Sequence, residues 1–387
     1  MSEIDQLSAH YRADSPATRT ATRLCFFAAG FAVALWAPLV PYAKERLGID
    51  NGQLGLIILC LGLGSVLAMP LTGGLANFWG SRRMILLSGA GLVLTLPLLA
   101  LISSPILFAS TLALFGASLG TLDVAMNMHG SEVERDADVP LMSGFHGLFS
   151  VGGFVGAAAE TLALSSGATP IATALLGAAV VALLVLIARG GLLPTRAATL
   201  GQVLVAPRGI VLVIAALCAI LFLVEGAVLD WGAVLLSETK AFAKGQAGIG
   251  YVLFAIAMTV GRLTGDRIVA ELGTRRTLLL GGTLTVMGFL ISALAPGTMS
   301  LVGFALTGVG ASNLVPILFS AAGKQRDMPA GSAVAAIATA GYAGHLLGPA
   351  GIGAVAHLSN LAVSFVLLAL LVIAVPACSG AIAKIST

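Results

Sequence analysis

Long apolar runs separated by short polar breaks dominate this sequence. A helix that spans a bilayer needs about 20 consecutive, mostly apolar residues. Twelve runs meet that requirement, and each predicts a membrane-spanning helix. Their approximate limits are 22–43, 52–77, 84–103, 106–129, 140–163, 169–188, 209–236, 247–270, 277–295, 299–322, 331–356 and 361–382. The pattern predicts an all-α membrane protein.

The longest break, at residues 189–208, divides the runs into two sets of six. It holds two prolines together with Arg189, Arg196 and Arg208. We therefore predict an N-terminal cytoplasmic tail at 1–21, a six-helix bundle at 22–188, a linker at 189–208 and a second bundle at 209–387.

Composition supports lipid as the main solvent of this chain. Only 10% of the 387 residues are charged and 58% are hydrophobic, whereas soluble domains average roughly 25% charged residues. The net charge of +3 is scattered over the breaks, which argues against a nucleic-acid partner. The four cysteines lie in apolar runs without metal-ligand spacing, so we expect neither a metal nor another cofactor.

The basic residues predict the orientation. If the N-terminus is inside, fourteen of the twenty Lys and Arg residues fall in inner segments and four in outer ones, while Arg262 and Arg267 lie in the eighth run. Since inner loops of membrane proteins carry the excess of Lys and Arg, both termini are expected to be cytoplasmic.

The two halves repeat at a nearly constant offset. Trp36 matches Trp231 at an offset of 195, and Gly80-Ser81-Arg82-Arg83 matches Gly273-Thr274-Arg275-Arg276 at 193. Glycines of the fifth and eleventh runs match at an offset of 197: Gly144, Gly147 and Gly156 with Gly341, Gly344 and Gly353. Parallel repeats of this kind can rock about a midplane site, so the repeat predicts transport by alternating access.

The loop after the second run carries a family resemblance. It reads Gly73-Gly74-Leu75-Ala76-Asn77-Phe78-Trp79-Gly80-Ser81-Arg82-Arg83. This resembles the signature loop of the major facilitator superfamily (MFS), and the likeness extends over nearly the whole chain. Within the superfamily the chain is similar to YbjJ-like bacterial inner-membrane proteins and, more distantly, to fucose permease-like sugar:proton symporters. The resemblance implies two pseudo-symmetric six-helix bundles in a bacterial inner membrane, and a monomer.

The same resemblance implies a conformational latch at the inner ends of the second and eighth runs. Its expected members are Gly73, Asn77, Gly80, Arg82, Arg83, Arg262, Asp266, Arg275 and Arg276. Asn77 stands where the family has an acid and cannot form an ion pair, so Asp266 is the expected replacement. The alternative is that these basic residues only fix topology.

Ionisable residues inside membrane spans are costly and mark a functional pathway by default. Asp123 lies near the middle of the fourth run, and Asn127 is one turn further on the same face. Fucose permease-like proteins have such an acid and Asn at this place, which implies a proton carrier. Burial favours the protonated carboxyl, so the group can exchange a proton near neutral pH. The alternative is an acid satisfied by neighbouring donors.

The first run departs from the fucose permease-like pattern. An acid is expected four residues before Pro41, where this chain has Ala37. In the seventh run Glu225 is the candidate replacement, and Asp230 and Trp231 follow it; Trp36 is the counterpart of Trp231. A carboxylate beside an indole suits a sugar or an amine. The alternative for both tryptophans is anchoring at the membrane interface.

The remaining candidates are neutral or titrate near pH 7. His146 and His345 can relay protons, and Asn313 and Tyr342 are polar residues at a depth compatible with a cavity. Each is equally interpretable as a packing residue. Glu160 is expected near the outer surface, and residues 132–138 are expected to form a solvated cytoplasmic loop.

These observations predict a secondary transporter of a small polar solute, such as a sugar-like metabolite, coupled to protons. The alternative is proton-driven efflux of a hydrophobic or cationic compound, favoured by apolar spans and by acids that lack a matching buried Arg. The Gly348-Pro349 pair resembles an exporter motif but lies in the eleventh run, not the fifth. Neither a nucleotide-binding loop nor a nucleophile–base pair stands out, so an enzyme is not expected.

Overall fold

A computed structural model describes residues 15–137, 141–193, 206–328 and 330–386. In these residues the chain forms twelve helices that match the twelve predicted runs. They are α1 Pro16–Leu47, α2 Asn51–Thr72, α3 Phe78–Leu101, α4 Pro105–Ala137, α5 Met142–Ser165, α6 Pro170–Ala188, α7 Ile210–Thr239, α8 Ile249–Leu263, α9 Gly265–Leu294, α10 (Ser300–Ala311 and Leu314–Lys324), α11 Ala330–Leu358 and α12 (Leu361–Val372 and Ala374–Ser386). Within the described part of the chain, eleven stretches are long and apolar enough to cross a membrane.

Two ends of the molecule are named by the direction of the helices. The termini side is the side where α1 begins and α12 ends, and the distal side holds the connections after α1, α3, α5, α7, α9 and α11.

Helix α1 begins earlier than predicted. The predicted tail, residues 1–21, is too long, because α1 begins at Pro16. The Ser15 side chain accepts a hydrogen bond from the Thr18 N–H, and proline suits the first helical position. Residues 1–14 and 194–205 of the predicted tail and linker lie outside the described residues.

A glycine kink occurs at the same place in both halves. Helices α2 and α3 belong to one continuous helical stretch, Asn51–Leu101, which is kinked at Gly80, whose φ is 77° and ψ is 157°. In α9 the kink is at Gly273, with φ 76° and ψ 160°. This part of backbone space is open essentially only to glycine. The Gly-Ser-Arg-Arg and Gly-Thr-Arg-Arg repeat of the sequence is therefore also a repeat of backbone geometry.

The connection between α4 and α5 differs from the sequence prediction. Helix α4 continues to Ala137, so most of the segment predicted as a solvated loop is helical. Glu134, near its end, accepts hydrogen bonds from the backbone N–H groups of Leu141 and Met142, at 2.6 and 2.7 Å. This carboxylate satisfies N–H groups at the start of α5, which otherwise have no partner within that helix.

Helix α10 is interrupted at Ser312 and Asn313, next to the end of α8. The Asn313 side chain donates to the Gly261 carbonyl of α8 at 3.1 Å. The predicted run 299–322 gave no sign of this break, because Ser and Asn also occur inside helices. The predicted run 247–270 is also broken at this place, because α8 ends at Leu263 and α9 begins at Gly265.

The halves pack closely along α2 and α11. A Cβ added at Gly55 of α2 would lie 2.5 Å from the Pro349 carbonyl oxygen of α11, so only glycine permits this approach. A second seam between α1, α5 and α8 is formed by a small cluster of Ala34, Ala157 and Val252. These seams set the space between the halves.

Polar pairs join the halves at the distal side. Lys44 pairs with Glu238, and Lys244 with Glu45. Glu238 also accepts from Asn51 at 3.3 Å. The structure is therefore a conformation in which the distal ends of the halves are held together.

Candidate functional site

Asp123 lies at a cavity between the halves, near the middle of α4. Its Oδ1 accepts a hydrogen bond from Asn127 Nδ2 at 3.1 Å, and its Oδ2 accepts one from the Tyr342 O–H of α11 at 3.3 Å. The second bond crosses from one half to the other. Of the residues predicted from the sequence, Asp123, Asn127 and Tyr342 are brought together directly.

The cavity has a volume of about 180 Å³. Its polar lining comprises Asp123, Tyr342, His345 and Ser65. The other lining residues are small or apolar: Ala29, Val33, Leu61, Gly62, Val66, Met69, Leu119, Gly120, Met126, Phe149 and Leu346. A few convergent polar groups in an otherwise apolar pocket are typical of a small-molecule site.

His345 joins this cavity to α7. Its Nδ1 lies 3.4 Å from the Phe222 carbonyl oxygen, and a Cβ at Gly226 would approach the same nitrogen to 2.9 Å. Glycine at position 226 therefore leaves room for the imidazole against α7. The contact with α7 therefore fixes where the imidazole lies at the edge of the cavity.

Glu225 forms an ion pair that sequence reasoning missed. The Arg262 Nη2 of α8 donates to the Glu225 Oε1 at 2.8 Å, and the two side chains are 34% and 32% exposed. Arg262 was expected in the latch at the inner end of the eighth run, but the structure places it against α7. The pair also removes one argument for an exporter, namely the lack of an Arg to match the acids.

Asp230 lies on a different face of α7 and contacts α1. Its Oδ1 accepts a hydrogen bond from Trp36 Nε1 at 3.1 Å, across the two halves. Asp230 is 3% exposed, and both Trp36 and Trp231 are fully buried. In this conformation neither indole presents a face to a solute or to the membrane interface, contrary to both interpretations of the sequence.

Trp231 shows where the repeat breaks down. Its Nε1 is buried and has no hydrogen-bond partner among the described residues. Trp36 is bonded to Asp230, but the residue equivalent to Asp230 in the first half is Leu35, at the same offset of 195. The two tryptophans are related by the repeat, whereas the acceptor is present in one half only.

The other predicted residues lie near this region. His146 packs edge-on against Phe26, with ring centroids 5.0 Å apart, and is within electrostatic reach of Arg262. Asn313 is 8% exposed and holds the break in α10 through its bond to Gly261. In this conformation Asn313 therefore has a structural role.

The latch residues are only partly described. Gly80 forms the kink given above, and Ser81 beside it donates to the Leu193 carbonyl at 2.9 Å. Arg83, Arg275 and Arg276 are exposed and Arg82 is half-buried. Gly73, Asn77 and Asp266 lie in described helices, but the structure does not describe the surroundings of their side-chain positions. The replacement of the family acid by Asp266 therefore stays a prediction.

The burial of two polar side chains was not predicted from the sequence. Glu160 lies near the distal end of α5, but it is 2% exposed and accepts a hydrogen bond from Thr173 of α6. His129 of α4 is fully buried between Thr22 of α1 and the Leu193 N–H, at 3.0 and 2.9 Å. An isolated acid or histidine in an apolar run does not reveal which helix will supply its partner.

The described residues contain no group of three or more His, Cys, Asp and Glu side chains placed to hold a metal ion. The site offers carboxylates, imidazoles, a phenol and one guanidinium. Such a set can bind a polar solute and exchange protons.

Comparison with known proteins defines the class of this chain. The family model of the Major Facilitator Superfamily matches residues 23–349, and the chain belongs to that family of membrane transporters. Two solved structures share its fold. A point mutant of the nucleoside transporter NupG aligns at a TM-score of 0.76 and 15% identity, covering 95% of this chain and 99% of that one. A D-xylose–proton symporter aligns at 0.72 and 14%, covering 92% and 96%.

More similar sequences come from bacteria. An uncharacterized MFS-type transporter of Yersinia pestis is 48% identical over 97% of this chain and 99% of its own length. An uncharacterized transporter of Sinorhizobium fredii is 31% identical over 89% and 93%. The membrane protein MosC of Rhizobium meliloti is 29% identical over 89% and 85%. The chain is therefore an MFS transporter, similar over nearly its full length to proteins of this kind.

Proposed function

We propose that this protein is a secondary active transporter that moves a small polar solute together with protons by alternating access. The observation that carries the proposal is Asp123, a carboxylate at a cavity between the halves that is bonded across them by Tyr342. A carboxyl in such a place exchanges a proton only when the halves give it access to water. Binding of the proton and movement of the halves are therefore linked at this residue.

The two repeated halves are the units that move, and the distal pairs are the contacts that change. The halves are held together distally by the pairs of Lys44 with Glu238 and Lys244 with Glu45. Opening the distal side requires these contacts to separate, while the cavity at Asp123 changes the side to which it opens. We place both termini in the cytoplasm, as the basic residues favour, and the membrane is proposed to be a bacterial inner membrane. The side held together in the present conformation is then the outer side. The transporting unit is a monomer.

The test is charge movement by purified protein in liposomes on a solid-supported membrane. The panel comprises sugars, polyols, nucleosides, organic acids and amines. Asp123→Asn keeps the size of the side chain and removes its proton exchange, so a solute-dependent current should be lost. Glu271→Gln is the matched control, since Glu271 is an exposed acid paired with Arg267 within one turn.

A current that persists at full size in Asp123→Asn would overturn the role of this carboxylate. No current with any solute, from protein whose helical content and thermal unfolding are unchanged by reconstitution, would count against proton-coupled uptake of polar solutes.

Efflux of a hydrophobic or cationic compound is the second candidate. The observation in its favour is the cavity lining, which is mainly apolar around a single carboxylate. It predicts that cells lacking the transporter become hypersensitive to such compounds and that Asp123→Asn fails to restore resistance. Unchanged susceptibility across a compound panel would exclude it.

A further inference from the structure

Arg262 carries a positive charge near the middle of the membrane-spanning region. It lies eleven residues before the kink at Gly273, which is about 16 Å at 1.5 Å per residue and thus about half the thickness of a bilayer core. Its partner Glu225 lies near the centre of α7. A guanidinium at this depth is costly and calls for a function.

The ion pair leaves much of the guanidinium unused. One described contact, Nη2 to Glu225 Oε1 at 2.8 Å, joins the two side chains. A guanidinium has five N–H donors and suits two parallel bonds to a carboxylate. Because both side chains are about one-third exposed, the remaining donors of Arg262 are accessible to a ligand.

The pair faces the seam between the halves. Tyr251, three turns before Arg262 on α8, reaches to 4.0 Å from the Cβ position of Gly153 on α5. His146, also on α5, is within electrostatic reach of Arg262. On the other side, His345 of α11 lies against α7 at Gly226. The guanidinium is thus positioned between the N-terminal and C-terminal halves, where a transported solute passes.

We propose that Arg262 binds the carboxylate of the transported solute, and that Glu225 is the counter-ion which the solute displaces. The inference rests on the proposed function and narrows its substrate class to small organic acids. Protonation of Glu225 removes its charge and breaks the ion pair, and the carboxylate of the solute then takes its place on Arg262. The total charge at the pair stays the same, since one proton enters with one anion.

The groups around Glu225 fit this exchange. Arg262 and Tyr251 approach it from α8, His345 lies beside α7 from α11, and His146 faces Arg262 from α5. Asp230, five residues further along α7, is bonded to Trp36 and is within electrostatic reach of Tyr251 and His345. Arg262 is the fixed cation of this group, because guanidinium keeps its charge in proteins.

The test compares acids with neutral molecules of matched shape. Thermal unfolding of the purified protein is measured with D-gluconate against D-glucitol, D-glucuronate against D-glucose, and L-lactate against propane-1,2-diol, at constant sodium. At least one acid should raise the melting temperature above its neutral partner. Arg262→Gln should weaken its binding by about tenfold or more, because a charge-assisted bond is lost. Glu225→Gln should keep the binding and make it independent of pH.

The double variant Glu225→Gln/Arg262→Gln distinguishes a binding site from a structural ion pair. It restores a neutral, hydrogen-bonding pair, so its stability without ligand should approach that of the wild type. If Arg262 is the anchor, acids still fail to stabilise it. Stabilisation by acids in this variant, or no preference for acids in the wild type, would overturn the inference.

Failure of this inference and failure of the transport proposal are separable. Currents that depend on Asp123 but respond only to neutral solutes would leave the proposed function standing and refute the role of Arg262. If acids stabilise the protein through Arg262 but are not transported, the role of Arg262 would stand and the transport proposal would be refuted.

Discussion

At the scale of single residues, the hydrogen bond between Trp36 and Asp230 can be tested with Trp231, the repeat-related tryptophan, as the control. Trp36→Phe removes the donor and leaves the Asp230 carboxylate buried without that partner, which costs about 1–3 kcal/mol. Trp231→Phe removes an indole of the same size that has no described partner for its N–H. Both changes make a similar cavity, so the difference between them reports the hydrogen bond.

The measurement is the thermal unfolding of both variants, together with labelling of Thr161→Cys in a protein without its native cysteines. Thr161 is buried near Pro38, close to the distal seam. Trp36→Phe should lower the melting temperature more and speed the labelling from the distal side. Equal behaviour of the two variants would show that the bond to Asp230 does not hold the halves.

His129 gives a residue-scale prediction about pH. Its Nε2 accepts a hydrogen bond from the Leu193 N–H at 2.9 Å, so this nitrogen must be unprotonated, and Nδ1 faces Thr22. Protonation of Nε2 breaks the bond to Leu193, so this contribution to stability is lost as pH falls. The range from about pH 5 to about pH 7 brackets the ordinary pKa of histidine. Over this range, thermal unfolding of His129→Gln should depend less on pH than that of the wild type. An unchanged profile would contradict this role.

Most of the residue-scale partners lie beyond what sequence alone can predict. Asp123 and Asn127 are four apart in one helix, and their contact follows from helical spacing. Glu225 and Arg262 come from different helices, as do Trp36 and Asp230, so their pairing depends on the rotation of each helix about its axis. The seam that buries Glu160 depends on the same rotations.

At the scale of helices, Gly80 and Gly273 are expected to be equally intolerant of a side chain. Each adopts a backbone conformation that costs other residues about 1–3 kcal/mol. Gly80→Ala and Gly273→Ala should therefore destabilise the protein. Gly323→Ala is the control: this glycine is helical, has a normal φ and has no atom within 4 Å of its Cβ position, so alanine there should be neutral or slightly stabilising.

Thermal unfolding in detergent checks this prediction. Melting temperatures of the two kink variants that match the value for Gly323→Ala would show that the kinks relax without cost. A lower melting temperature for only one of the two kink variants would show that the halves share the kink geometry but not its contribution to stability.

The helices themselves were predictable because their signal is a continuous apolar run. The twelve runs match the twelve described helices, and the repeat of Gly80 and Gly273 was visible from the residues around them. The early start of α1 depends on the capping of Thr18 by Ser15, and the extension of α4 depends on Glu134 satisfying α5. These are local hydrogen bonds near helix ends, where hydropathy carries little information.

At the scale of the whole molecule, the distal pairs set the balance between conformations. Glu238 of α7 accepts from both Lys44 and Asn51 of the other half. Glu238→Gln removes the charge that holds this contact and should shift the population toward a distal-open state. Exposed ion pairs contribute about 0–1 kcal/mol each, so the ratio of distal-open to distal-closed molecules should rise by at most about fivefold.

The shift can be measured as a distance between spin labels at the distal ends of the halves. Ser166 and Ser359 are exposed positions in the connections after α5 and α11, and cysteines there accept the labels. Glu238→Gln should broaden the distribution toward longer distances, and raised salt should do the same in the wild type because it screens the pairs. Glu271→Gln, which removes a pair within the C-terminal half, should leave the distribution unchanged. Because any solute coupled to the halves binds one conformation better than the other, the same labels would then report solute binding as a change in population.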